Sequence, residues 1–377
     1  MNKAVKVLSL VSYKFLPPDM GGQKGIAFFN RYLSRNINLV CVTSKDNGVL
    51  TEPYPVKNIL SNSKLRYVNP VYIFTLYRLI KEENITHLII EHPYYGWLGI
   101  ALQKLLGIKL IIHSHNIEAL RFKSFGKWWW RLLWRYEKAV HRRADMNFFI
   151  TREDMDYAIA HFKLEQKKCT VITYGINFNT APARQEKTIA RAKVCNTHHI
   201  NPANLLLFYT GTLYYQPNLK GLDIILDEIN LLLQQSGIAY TILVCGNHLP
   251  ERYNNLEAYK NKNVIYAGFV KDIDTYFKAA DIFINPISEG GGIKTKLVEA
   301  LAGNSSAVSF ASGAFGVPAA ITGGKLIIVP DENSTEFFEA MQQSIPLLKK
   351  DIPTDFYEHF YWGNIVQKAY QHILSIA

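Results

Sequence analysis

Hydrophobic residues along this chain cluster in short runs separated by amphipathic stretches. The runs at 5–13, 39–44, 87–91, 110–115, 146–151 and 170–174 are largely apolar at consecutive positions rather than alternate ones. A strand covered by helices on both faces requires that pattern. Between the runs, helical periodicity predicts helices at about 22–35, 70–82, 96–106, 127–144 and 152–161. The pattern lapses over 176–204, a polar stretch with Pro182 and His198-His199, which reads as a linker followed by a surface helix. It then restarts, with strands expected at 205–210, 240–245, 264–269, 282–285, 307–310 and 326–329. Helices are expected at about 217–234, 273–280 and 294–302, then at 334–348, and an amphipathic segment over 362–376 closes the chain. Such βαβ alternation predicts an α/β protein of two doubly wound parallel-sheet, Rossmann-like domains facing across a cleft. The expected division is 1–178, joined by a returning C-terminal helix at 361–377, and 179–360.

Composition narrows the class. The 377 residues are 48% hydrophobic and 19% charged, enough for a sizeable core and unlike a disordered chain. No apolar run reaches the ~18–20 residues of a membrane span. The first apolar run is too short for a signal-peptide core, so a cytoplasmic protein is expected. Cys41, Cys169, Cys195 and Cys245 show no C-x-x-C spacing, which argues against a zinc site or a disulfide framework. The formal charge of +11 favours phosphorylated ligands, polyanions or an acidic membrane face.

Chemistry is expected where strands turn into helices, because parallel sheets place ligands at their carboxyl ends. The strongest segment runs from Asn285 to Gly303: a strand end, then Glu289, Gly290, Gly291, Gly292, Ile293, Lys294, and a helix carrying Lys296 and Glu299. Glycines let the backbone approach an anion, and the free amides of a first helical turn bind phosphate. Lys294 or Lys296 adds a full positive charge, and Glu299 can accept hydrogen bonds from two ribose hydroxyls. A second glycine turn, Gly21-Gly22, follows the first strand. His113 and His115 close a buried strand, with Asn116 and Glu118 beyond. No third metal ligand has suitable spacing there, so no metal site is expected. Gly211-Thr212 and Gly268-Phe269-Val270 close two further strands. The segment 123–143 carries Lys127, Arg131, Arg135 and Lys138 on one stripe among several tryptophans, suited to anionic lipid head groups. No nucleic-acid motif accompanies it.

Together these residues resemble glycosyltransferase family 4, of the GT-B fold, over nearly the whole chain. The resemblance implies a metal-independent, retaining hexosyltransferase-type enzyme that needs no cofactor beyond a UDP- or GDP-sugar donor. Its acceptor would be a glycan or lipid-linked sugar in cell-surface polysaccharide biosynthesis, at the inner face of the cytoplasmic membrane. The resemblance assigns Glu299 to the donor ribose, and Lys296 with the amides of Gly292–Lys294 to the pyrophosphate. Gly268–Val270 would line the base pocket, Gly22 would sit beside the pyrophosphate and the acceptor, and His115 would contact the transferred sugar. Gly21, Gly211, Thr212, Glu289, Gly290 and Gly291 complete the expected donor set. The chain departs from the family pattern at Gly291, where many members carry a Glu, and after Thr212, where no Arg follows. A non-catalytic nucleotide-sugar-binding partner and a sugar-nucleotide epimerase are the alternative expectations.

Overall fold

The computed structural model describes residues 5–18, 20–48 and 51–377. Met1–Ala4 and Asp19, which belong to the N-terminal and first glycine segments, lie outside the described residues. The chain divides into two units: unit 1 comprises Met1–Gly175 and Phe360–Ala377, and unit 2 comprises Ile176–His359.

Unit 1 is built on a seven-stranded sheet. Its strands are β1 (Lys6–Val11), β2 (Asn38–Ser44), β3 (Val56–Leu60), β4 (His87–Glu91), β5 (Lys109–Ser114), β6 (Met146–Phe149) and β7 (Cys169–Val171). Their order is β3-β2-β1-β4-β5-β6-β7, parallel throughout. β4 is buried along its whole length and β5 from Leu110 onward, as their apolar runs require. Leu8, Leu10, Leu88, Ile90, Leu110 and Ile112 meet Leu76, Leu98, Leu102 and Val140 from three helices on one face. Those helices, Val71–Glu82, Gly96–Leu106 and Trp130–Arg143, pack side by side. The C-terminal helix Trp362–Ser375 packs against the helix Gly21–Leu33. Trp362 is buried against Gly175, where a Cβ would lie 2.4 Å from the indole.

Unit 2 holds six parallel strands: β8 (Leu205–Thr210), β9 (Tyr240–Cys245), β10 (Val264–Gly268), β11 (Ile282–Asn285), β12 (Ser306–Phe310) and β13 (Leu326–Val329). Their order is β10-β9-β8-β11-β12-β13. In both sheets the strand order reverses once, between β1 and β4 and between β8 and β11. Those reversals are the switch points at which doubly wound sheets bind ligands.

Three local expectations are corrected. β3 has no counterpart among the expected strands, because Val56-Lys-Asn-Ile-Leu60 is short, half polar and lies at the sheet edge. The helix after the glycine segment begins at Thr295, since Gly292 adopts a left-handed φ of 72° that no α-helix accommodates. Lys127 precedes the helix Trp130–Arg143 rather than sharing its stripe.

Candidate functional site

In unit 2 the strand ends at the switch point are made of backbone. After β8, Gly211 stands where a Cβ would lie 2.7 Å from the Asn218 amide nitrogen. That amide donates to the Thr212 carbonyl at 3.0 Å and fixes the turn. After β9, Gly246 approaches so closely that a Cβ there would sit 2.1 Å from the Gly211 carbonyl oxygen. The Gly246 amide donates to the carbonyl of Gly268, which ends β10. Thus Gly211, Gly246 and Gly268 bring three adjacent strand ends together. Gly246 was not singled out in the sequence, although a lone glycine closing an apolar run is the available signal. Beyond β10, Phe269 is exposed and Val270 half-buried.

After β11, Asn285 donates to Ser309 Oγ and the Gly313 carbonyl, locking the strand end. Gly290 (φ 86°) and Gly292 (φ 72°) then turn the chain through the left-handed region, which favours glycine. The Lys294 ammonium donates to the carbonyls of Gly290 at 2.8 Å and of Gly291 and Gly292 at 3.3 Å. Lys294 therefore braces the loop's own carbonyls. In the helix Thr295–Ala302, Lys296 Nζ donates to Glu299 Oε2 at 3.0 Å. Both are half-buried, with the Glu299 side chain 11% exposed. Lys220 bridges Glu289 at 3.0 Å and Glu332 at 2.7 Å. Glu289, Gly290, Gly291, Gly292, Ile293, Lys294, Lys296 and Glu299 thus form one contiguous turn and helix start. A helix N-terminus, glycine amides and a lysine supply the positive potential that a diphosphate needs.

Unit 1 is built differently. Gly21 and Gly22 open the helix Gly21–Leu33, and Gln23 ties this turn by accepting from the Met20 amide and donating to the Lys14 carbonyl. Beside them, the ends of β1, β4 and β5 carry a packed set of rings and carboxylates. Glu91 at the end of β4 faces His113 Nδ1 at 3.0 Å and His115 Nε2 at 2.6 Å. Burial raises its carboxyl, yet the two imidazoles hold it well below the usual carboxylate range. Ionised Glu91 accepts from both rings. Burial and the neighbouring His92 hold His115 down to about 4, against the pull of Glu91. The absence of a third ligand is corrected here: β4 places Glu91, 22 residues before His113, beside both histidines. One ligand atom each from Glu91, His113 and His115 lies within 4.8 Å of the others. This trio could hold a divalent cation; without one, Glu91 pairs with His113 Nδ1 and His115 Nε2, and the buried His113 Nε2 has no hydrogen-bond partner among the described residues.

His92 follows directly and has φ 64°, ψ 154°, a region nearly reserved for glycine that costs a non-glycine residue about 1–3 kcal/mol. Its ring stacks on His115 with centroids 4.3 Å apart. Its Nδ1 meets Glu118 Oε1 at 3.0 Å and its Nε2 meets the Tyr13 hydroxyl at 3.1 Å. Glu118 is buried, accepts from Tyr94 at 2.7 Å and Arg121 at 3.1 Å, and also from Asn116. Burial raises Glu118, but the His92 hydrogen bond and charge, with Arg121, hold it at about 2. Glu91, His92 and Tyr13 were not singled out in the sequence, since nothing in their spacing links three different strand ends.

Two Rossmann-like parallel sheets in one chain, the second ending in glycine-built turns, give a GT-B architecture. Family models agree. The model described as "Glycosyltransferase Family 4" matches residues 21–180, and that described as "Glycosyl transferases group 1" matches 204–345. The chain belongs to glycosyltransferase family 4. No curated protein matches it significantly in sequence. Among solved structures, a glycosyltransferase from Rickettsia africae is 15% identical with a TM-score of 0.74, covering 99% of each chain. Anabaena HepE in complex with UDP is 14% identical with a TM-score of 0.74, covering 98% of this chain and 100% of that one. WaaG, a glycosyltransferase of lipopolysaccharide biosynthesis, is 15% identical with a TM-score of 0.67, covering 97% and 99%.

Proposed function

We propose that this glycosyltransferase moves a hexosyl group from a UDP- or GDP-sugar to a glycan or lipid-linked acceptor with retention of configuration. The observation that carries this reading is the Gly290–Glu299 turn and helix, which joins glycine amides, Lys296 and Glu299 in one short segment. HepE, of the same fold, binds UDP, which supports a uridine donor. Glu299 accepts the ribose hydroxyls. Lys296 and the amides of Gly292–Lys294 hold the diphosphate, and Gly268–Val270 flank the base. Breaking the sugar–phosphate bond leaves negative charge on the diphosphate, which preorganised amides and a lysine stabilise without a metal being required. The leaving phosphate oxygen takes the acceptor's proton, and no side-chain base is assigned. His115 contacts the transferred sugar through Nδ1, since Glu91 holds its Nε2. The test is UDP and GDP binding by calorimetry, followed by donor turnover. Lys296→Ala and Glu299→Ala lower turnover at least ~100-fold, about 2.7 kcal/mol at the barrier, with thermal midpoints unchanged. Full activity in both variants removes the assignment.

A role in cell-surface glycan synthesis at the inner face of the cytoplasmic membrane is supported by unit 1's outer helical layer. Trp128 stands 83% exposed, with Leu132 also projecting, next in sequence to exposed Arg131 and Arg135, and Arg142 and Arg143 are exposed at the end of the same helix. Apolar side chains set among cations suit an anionic bilayer surface. No helix among the described residues is long and apolar enough to cross a membrane. Sedimentation with phosphatidylglycerol-containing liposomes tests this. Changing Lys127, Arg131 and Arg135 to Glu abolishes co-sedimentation, and unchanged binding refutes the contact.

A further inference from the structure

We propose that Lys187 and Lys325 are positioning residues for the donor diphosphate: they hold the helix Thr295–Ala302 by its carbonyl end and set two positive charges behind its amide end. The proposal rests on the donor reading of Gly290–Glu299 and adds two lysines that lie outside that segment.

The helix has 8 residues, too few to be stable by itself. Among the described residues no side chain caps its N-terminus, and its first turn carries no acidic residue, so its positive end is left uncompensated. The other end is fully occupied. The Ala302 carbonyl accepts from the buried Tyr357 hydroxyl at 3.1 Å. The Gly303 carbonyl accepts from Lys187 Nζ at 3.0 Å, and the Asn304 carbonyl accepts from Lys187 at 3.2 Å and from Lys325 at 2.8 Å. Lys187 comes from the helix Arg184–His198, and Lys325 stands directly before β13. Lys325 also donates to Asn304 Oδ1 at 3.3 Å and to the Lys350 carbonyl at 2.9 Å, so each of its protons has an acceptor.

Charge explains why these two residues are lysines. Lys325 is fully buried, and burial pulls both ammonium groups down to about 8, which reflects the cost of a charge in that setting. Among the described residues neither is paired with a carboxylate. Asp281 is held by Arg191 at 2.8 Å, and Asp351 accepts from the Asn304 amide at 2.7 Å. Apolar side chains often replace buried ions without loss of stability, so the fold alone does not call for two cations here. The carbonyl end of a helix favours cations. An anion at its amide end, about 12 Å away at 1.5 Å per residue, gains from the same charges. A diphosphate is such an anion.

The test uses the full chain and calorimetry with whichever of UDP and GDP the wild-type protein binds, and with the corresponding monophosphate. Lys325→Met and Lys187→Met are each expected to weaken the diphosphate roughly 10-fold and the monophosphate about 3-fold, because a lost charge acts in proportion to the charge of the ligand. A lysine that only secured the helix would weaken both ligands by one factor. Diphosphate affinity unchanged in both variants overturns the proposal, as does an equal loss for the two ligands. Should Lys325→Met fail to fold, Lys187→Met, at a half-buried position, carries the same measurement. A wild-type protein that binds neither UDP nor GDP counts against the donor assignment instead, so the two failures are distinguishable.

Discussion

The two units present their chemistry at equivalent strand ends and make it from different materials. In unit 2 the ends of β8, β9 and β10 are Gly211, Gly246 and Gly268, and β11 runs on into Gly290–Gly292. The surface offered there is backbone amide, with few side chains. In unit 1 the ends of β1, β4 and β5 carry Tyr13, Glu91, His92 and His115, with Glu118 close behind. The surface offered there is side chains hydrogen-bonded to one another. A backbone site suits a diphosphate common to many donors, whereas a side-chain site can be varied residue by residue to suit an acceptor.

All six tryptophans lie in unit 1, so their fluorescence follows that unit alone. This makes the contrast breakable. The largest effect is expected from Glu91→Ala. It strands His113 Nδ1–H and His115 Nε2–H in a buried setting without their acceptor, at a cost of about 1–3 kcal/mol for each donor. Urea unfolding read by tryptophan fluorescence should shift by that amount while UDP binding to the other unit persists. A shift under ~1 kcal/mol would mean that Glu91 is not the acceptor on which the two rings depend. Next, Gly290→Ala forces a side chain onto a φ of 86°, with its Cβ 3.1 Å from the Tyr215 hydroxyl. A loss of about 1–2 kcal/mol is expected, with weaker UDP binding and unchanged tryptophan unfolding. If UDP binds the variant as tightly, this turn does not carry the diphosphate.

The same contrast explains what the sequence disclosed. Strands β4 and β11 were legible to the residue, because a fully buried parallel strand writes an unbroken apolar run. The unit 2 segment was legible because a backbone site is contiguous: glycines, lysine and glutamate follow one another within fifteen residues of β11. Unit 1 was half legible. His113, His115 and Glu118 share one stretch, but their partners Glu91, His92 and Tyr13 come from strands more than twenty residues away. Only sheet order, β1 beside β4 beside β5, brings them together. Edge strand β3 escaped for the opposite reason, being too polar to register.

Acid should separate the units further. His141 is fully buried between Phe149 and Phe162, its Nδ1 on Asn147, and burial lowers its pKa to about 4. A histidine with a depressed folded pKa contributes stability that is complete above its unfolded value near 6.5. That contribution is lost as pH falls toward 4, because the unfolded chain takes up the proton first. In His141→Phe the slope of unfolding free energy against pH between those limits should fall by up to one proton, about 1.4 kcal/mol per pH unit. An unchanged slope would show that His141 keeps its proton affinity on folding. Unit 2 has no buried histidine among its described residues.

The smallest expected effect on stability bears on the missing family glutamate. Gly291 occupies that position, and Glu289, two residues earlier, is half exposed and tied to Lys220 at 3.0 Å. Lys220 also holds Glu332, so Lys220→Ala releases two carboxylates at once. Because all three groups are substantially exposed, unfolding should change by less than ~1 kcal/mol. Activity is the informative readout. If Glu289 serves the donor sugar from its Lys220-anchored position, turnover falls several-fold in Lys220→Ala and further in Glu289→Gln, with UDP affinity unchanged, because the sugar and not the diphosphate loses its partner. If both variants turn over normally, unit 2 works through amides, Lys296 and Glu299 alone. The contrast with the side-chain chemistry of unit 1 is then sharper still.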